Sequence, residues 1–144
     1  MVPLGVDKEK LLFQLERLQE NILRLKKLRD KKGDEIYSAK ERLFQICIEE
    51  CLNIRKHIIC GLNLKRADTY KEVFIRLREV KIISKDLEKK MLDFTTMRNR
   101  LVHLYWKVTK KELDEELKDI DHLKEFAKRI LKVSERQKQS LGFL

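Results

Sequence analysis

Apolar residues recur at helical spacing along most of the chain. In the first stretch they step by four, three, four and three positions, through Leu11, Leu15, Leu18, Ile22 and Leu25. This spacing is typical of a helix that packs lengthwise on a neighbour. It predicts a helix from about Asp7 to about Asp30. Lys31-Lys32-Gly33 then stops the helix, because glycine readily adopts the positive φ of a C-terminal cap.

The second helix is predicted from about Asp34 to Cys60, with Gly61 following as its C-terminal glycine. Its apolar positions also recur at helical spacing. They are Ile36, Leu43, Cys47, Cys51, Ile54 and Ile58.

Helix-capping residues predict where the remaining helices begin. Thr69-x-x-Glu72 is typical of a capping box that opens a short third helix through about Val80. Ser84 can cap a fourth helix, which ends near His103 or Leu104.

A second capping box, Thr109-x-x-Glu112, predicts one closing helix to about Glu135. The chain therefore turns between Trp106 and Val108, which leaves His103 at a bundle end or edge that a substrate can reach.

Together these elements predict an all-α, up-and-down bundle of four long helices and one short helix. The chain of 144 residues, with one Pro and four Gly, suits a single domain over 1–144. We expect frayed ends at about 1–6 and 136–144.

The formal net charge of +10 favours attraction to a polyanion, either nucleic acid or an acidic protein. A Lys/Glu-rich surface of the thermophile kind is the alternative explanation. No apolar run reaches the roughly 18 residues of a membrane span, and the first residues lack a signal core. A soluble, cytoplasmic protein is therefore expected, and three cysteines fit a reducing compartment.

Histidines and cysteines outside the fourth helix fit structural roles best. His57 and His122 are interpreted as surface or structural residues. The spacing of Cys47, Cys51 and Cys60 matches no common zinc-ligand pattern, so buried small apolar side chains are favoured over a metal site. No metal and no cofactor is predicted.

The side chains best suited to act on a phosphate are concentrated in nine residues, Arg98-Asn99-Arg100-Leu101-Val102-His103-Leu104-Tyr105-Trp106. Asn99 and His103 are four apart and share a helix face. Arg98 is five before His103, about 140° around an ideal helix. The two side chains therefore converge only if the arginine curls back or the helix end loosens.

An imidazole moves protons near neutral pH, and a guanidinium stabilises charge on a phosphoryl oxygen. Together they suffice for metal-free RNA cleavage, in which the 2′-OH is the internal nucleophile. The alternative is structural, with His103 a hydrogen-bonded core residue and the arginines in solvent. Near His103, Lys107 and Lys110 are candidates for phosphate contact. Trp106 could equally be an aromatic plug at the bundle end. The same alternative applies to Tyr105, but its phenol, two residues past His103, is expected to face solvent or the cleft.

The segment from Arg98 to Tyr105 resembles the R-x4-H-x-Y signature of HEPN-domain toxins of the HepT kind. The resemblance runs from about residue 8 to 135. It includes the second helix from Glu41 to Gly61, the segment from Thr69 to Phe74 and the closing helix.

This resemblance implies an all-helical homodimer that is a metal-independent ribonuclease, paired with a minimal nucleotidyltransferase antitoxin. It implies that Arg98 and His103 are catalytic and that Asn99 is a supporting polar residue. Tyr105 is the candidate site for AMP transfer, as in some pairs of the family. Arg100 falls in the variable part of the signature and receives no role.

Transesterification needs a base and an acid, but each chain has one histidine in the motif. We therefore expect a composite site across a two-fold dimer. Three alternatives remain open: a docking subunit of a nucleotidyltransferase, a nucleic-acid-binding protein without chemistry, and a protein that serves mainly as the nucleotide acceptor.

Overall fold

A computed structural model describes residues 8–61, 69–103 and 107–142. These residues form helices and, within those ranges, no strand, which confirms the predicted all-α fold. The helices are α1 (Lys8–Leu28), α2 (Asp34–Gly61), α3 (Tyr70–Glu79), α4 (Lys85–Val102), α5 (Lys110–Leu117) and α6 (Asp121–Gly142).

The predicted capping residues lie immediately before the first residues of α3, α4 and α5. The side chains of Thr69 and Ser84 each accept a backbone N–H from three residues on, at 3.1 Å. Thr109 and Glu112 form the complete, reciprocal capping box of α5. Between α1 and α2, Gly33 has a φ of +116°, the positive value predicted there.

The prediction of one closing helix is wrong, because residues 118–120 separate α5 from α6. Backbone N–H groups of Lys118, Asp119 and Ile120 bond to carbonyls only three residues earlier, which tightens the chain into a turn. The apolar spacing continues across this turn through buried Leu117, Ile120 and Leu123, so periodicity alone does not reveal the break. The second part, α6, runs to Gly142, past the predicted end near Glu135.

One continuous core joins the helices, and all five predicted α1 seam residues lie in it. Phe44 of α2 packs edge-on against Phe94 of α4, with ring centroids 5.8 Å apart. Phe74 of α3 and Phe126 of α6 make a similar contact at 6.0 Å. The aromatic contact between α2 and α4 fixes the part of α4 just before the Arg98 motif.

Cys47 and Cys51 are buried in this core, as predicted. Burial raises the pKa of the Cys47 thiol to about 12, so it remains a neutral, apolar side chain. The side chain of Cys60 lies outside the described residues.

The core also contains a lysine. Lys40 of α2 has no exposed surface, and its ammonium donates hydrogen bonds to the carbonyls of Arg29 and Lys31, in the connection that follows α1. It also donates to Asp114 of α5 at 3.1 Å and lies 4.3 Å from the Tyr37 ring centroid. This contact set ties α5, the helix that follows the motif, to the α1–α2 hairpin.

Among the described helices, none combines the length and the apolar character that a membrane crossing requires.

Candidate active site

Arg98 lies in the last turns of α4 and reaches across to α2. Its Nη2 lies 3.3 Å from Oε1 of Glu49, and its Nη1 donates to Oδ1 of Asn99 at 3.0 Å. The side chain is 20% exposed, so the guanidinium is held at the surface of the α2–α4 interface. A guanidinium that is fixed and still accessible is suited to binding an anion.

Asn99 contacts Arg98 through its side chain and His103 through its main chain. Its side-chain oxygen accepts from Arg98, while its backbone carbonyl accepts the N–H of His103 at 3.1 Å. The bond to His103 is the main-chain hydrogen bond of the last helical turn, so the supporting role of Asn99 rests on its side-chain contact with Arg98 and stays a prediction.

His103 caps the C-terminal end of α4 and is exposed. Its backbone is extended, with φ −92° and ψ 110°, so the helical turn ends at Val102. The helix end therefore loosens at His103, one of the two conditions under which Arg98 and His103 can converge. An exposed imidazole at this position can meet a substrate from solvent.

Arg100, which received no role from the sequence, joins α4 to α5. Its guanidinium forms a two-pronged pair with the carboxylate of Glu112 and donates to the backbone carbonyl of Lys107 at 2.7 Å. The Arg100 hydrogen bond, together with the N–H of Thr109, lowers the pKa of Glu112 to about 2. Arg100 of α4 is therefore bonded both to the backbone at Lys107 and to Glu112 in the first turn of α5.

An open groove of about 480 Å³ runs between α4 and α5 beside Arg100. Its carboxylates outnumber its cations: Asp93, Glu112, Glu115 and Glu116 line it with Arg100 and Lys111. An acidic groove repels a polyanion, so it does not suit an RNA backbone. The Arg98 side of α4 is the better surface for phosphate.

Other residues singled out in the sequence have varied surroundings. Tyr105 and Trp106 lie outside the described residues. Lys107 is exposed, whereas Lys110 pairs with Asp34 at 2.5 Å, which weakens its case as a phosphate contact. His122, expected at the surface, is half-buried, and its Nδ1 lies 2.9 Å from the Asp119 carbonyl.

His57 is also half-buried, on α2. Within the described ranges, no group of three or more His, Cys, Asp or Glu side chains is placed to hold a metal ion.

Sequence reasoning did not identify Glu49 as part of this site. It is one of two adjacent glutamates on α2, and its neighbour Glu50 instead accepts from Asn21 of α1 at 2.6 Å. Glu49 and Glu50 are distinguished by the packing of α2 on α4, and the local sequence does not show which of the two faces Arg98.

Known structures share this helical arrangement. The cytosolic protein YutE from Bacillus subtilis, described as of unknown function, superposes with a TM-score of 0.80 at 21% identity, covering 92% of this chain and 93% of YutE. A tri-AMPylated Shewanella oneidensis HEPN toxin, solved in complex with its MNT antitoxin, gives a TM-score of 0.78 at 17% identity, over 85% of this chain and 96% of the toxin. The fold is therefore that of the all-helical HEPN proteins.

The family model for HepT-like ribonucleases matches residues 11–130. The chain belongs to this HepT-like family. It is also similar to the tRNA nuclease HepT of Aphanizomenon flos-aquae (strain 2012/KM1/D3), at 35% identity over 65 residues. That match covers 45% of this chain and 44% of the relative, less than half of either. The family predicted from the Arg98–Tyr105 signature is confirmed.

Proposed function

We propose that the protein is a metal-independent endoribonuclease toxin that cleaves RNA with Arg98 and His103. The observation that carries the proposal is the end of α4. There His103 is exposed, and the guanidinium of Arg98, five positions earlier, is held by Asn99 and Glu49, in a chain of the HepT-like ribonuclease family.

The reaction that suits these groups is transesterification. A base removes the proton of the 2′-OH, and O2′ attacks the adjacent phosphorus. The bond from phosphorus to the 5′-oxygen breaks, and an acid protonates that oxygen. The products are a 2′,3′-cyclic phosphate and a 5′-hydroxyl. Arg98 stabilises the extra negative charge on the phosphoryl oxygens, which is the task a metal ion performs in other nucleases.

Two protons move in this reaction, and each chain supplies one motif histidine. We propose that the site is composite and that the protein acts as a homodimer, with His103 of one subunit as base and His103 of the partner subunit as acid. The single domain over 1–144 would then supply one half of the active centre.

The substrate class and the partner follow from the relatives. Transfer RNA is the proposed substrate, because the Aphanizomenon relative is named a tRNA nuclease. A minimal nucleotidyltransferase is the proposed antitoxin, because the Shewanella toxin is AMPylated and bound to one. AMP on Tyr105, two residues from His103, would add bulk and negative charge where an RNA phosphate must sit. The cytoplasm, where tRNA occurs, remains the expected compartment.

Inducible expression in a bacterial host tests the toxin role. We expect growth arrest and tRNA fragments with the wild type and neither with Arg98→Ala or His103→Ala. Co-expression with the neighbouring open reading frame, the proposed source of the nucleotidyltransferase, should restore growth and add whole AMP units to the intact mass. Tyr105→Phe should gain no AMP. A folded, unmodified wild type that binds the nucleotidyltransferase without cleaving RNA would instead establish the docking subunit.

A further inference from the structure

We propose that Glu49 is a positioning residue that orients the Arg98 guanidinium for phosphate binding. The inference rests on the proposed ribonuclease function and adds a residue outside the signature. Glu49 lies on α2, 49 positions before Arg98, and the two side chains meet at 3.3 Å.

Arg98 is held at its two terminal nitrogens. Asn99 accepts from Nη1 and Glu49 from Nη2, whereas Nε is buried and has no hydrogen-bond partner among the described residues. Because Nε is not anchored, Asn99 alone would leave the guanidinium free to turn about a single contact. The second contact, from another helix, fixes its plane.

Glu49 is itself positioned by Gln45, one helical turn earlier on α2. Nε2 of Gln45 donates to the same oxygen, Oε1, at 3.1 Å. The Glu49 side chain is 34% exposed and the Arg98 side chain 20%, so the pair is partly shielded and still open to a ligand. The hydrogen bonds thus form a short chain from Gln45 through Glu49 and Arg98 to Asn99.

The charge of Glu49 argues for orientation and against a role in RNA affinity. A carboxylate beside a phosphate-binding arginine repels the RNA backbone, so removing it should strengthen RNA binding to a protein of net charge +10. An orienting role predicts the opposite effect on turnover, because a guanidinium that turns freely is less often in the reactive geometry.

The kinetic test compares Glu49→Gln with Glu50→Gln. Both variants remove one carboxylate charge from adjacent positions of α2, but Glu50 contacts Asn21 on α1 and not Arg98. With a defined tRNA substrate, we expect kcat to fall about tenfold in Glu49→Gln while KM stays equal or falls, and no such loss in Glu50→Gln. An unchanged kcat in Glu49→Gln, or equal losses in both variants, would overturn the inference.

A second readout does not depend on cleavage. In NMR spectra of protein labelled with 15N-arginine, a guanidinium held at both Nη atoms rotates slowly and gives separate Nη signals, which Arg98→Lys identifies by their absence. We expect these signals in the wild type and in Glu50→Gln and their merging in Glu49→Gln. Separate signals in Glu49→Gln would overturn the pairing, whereas a wild type with intact signals but no cleavage would overturn the ribonuclease proposal and with it the positioning role of Glu49.

Discussion

The ammonium of Lys40, completely buried in α2, lies 3.1 Å from the carboxylate of Asp114 in α5, 74 residues later. Lys32 and the hydroxyl of Tyr37 also donate to Asp114. A buried cation needs such partners, because an unpaired charge in the interior is strongly destabilising. This contact connects the α1–α2 hairpin to the helix that follows the Arg98–Tyr105 segment.

Asp114→Asn should therefore lower the free energy of unfolding by about 2 kcal/mol, since it leaves Lys40 buried without a carboxylate. The lowering of Tm should be on the order of 5 °C for a domain of this size. Glu115→Gln, at the next and exposed position of α5, is the matched control and should cost at most about 0.5 kcal/mol. The free energies of unfolding of both variants are measured by urea denaturation. Equal values for the two variants would contradict a stabilising role of the Lys40–Asp114 contact.

Acid should reduce the contribution of Asp114. Partial burial alone would raise its pKa, but hydrogen bonds from Tyr37, Lys32 and Lys40 outweigh that effect and lower the pKa from 3.8 to about 2. The unfolded chain therefore takes up this proton first as pH falls. The stability that the carboxylate supplies, about 2 kcal/mol, is fully present above pH ~5 and is lost progressively as the pH falls from ~5 to ~2.

The measurement is the difference in unfolding free energy between wild type and Asp114→Asn at pH 7, 4, 3 and 2. We expect the difference to be constant from pH 7 to about 5 and then to shrink as pH falls towards 2. A difference independent of pH would show that Asp114 keeps its ordinary pKa.

The Thr109 cap should contribute measurably to stability, because its side chain accepts the N–H of Glu112 at 3.1 Å at the start of α5. Thr109→Ala should cost about 1 kcal/mol. Thr96→Ala is the matched control, since Thr96 is exposed within α4 and bonds only back to the Leu92 carbonyl, where alanine is a better helix former. Thermal unfolding should show a loss in the first variant and little or none in the second.

The composite site makes a prediction about mixed dimers. A heterodimer of one wild-type subunit and one His103→Ala subunit, purified through two different affinity tags, should retain less than about one tenth of the wild-type rate, because the single composite centre of the dimer then lacks one proton-transfer group. Activity near one half would show that each subunit carries an independent site.

Much of the fold could be predicted from the sequence, because helix boundaries are set by local chemistry. Ser84 and Thr109 cap the helices that follow them, and Gly33 adopts the positive φ predicted between α1 and α2. The apolar seam of α1 lies in the core. The break before Asp121 could not be predicted, since the apolar spacing persists through it.

The charged and polar residues discussed above also fall into two groups, those within one sequence segment and those that interact across helices. Arg98, Asn99 and His103 lie within one short segment, so the signature is enough to propose them. Glu49 and Lys40 act across helices, and in the sequence they are ordinary charged residues of an amphipathic helix. Their partners become visible only once α2 packs on α4 and α5.

The most direct measurement is cleavage of tRNA by the purified protein in EDTA, beside Arg98→Ala and His103→Ala, with the product ends identified by mass spectrometry. We predict fragments ending in 2′,3′-cyclic phosphate from the wild type and rates at least about 100-fold lower in both folded variants. Cleavage that stops in EDTA, or that persists in His103→Ala, would contradict the proposed metal-independent site.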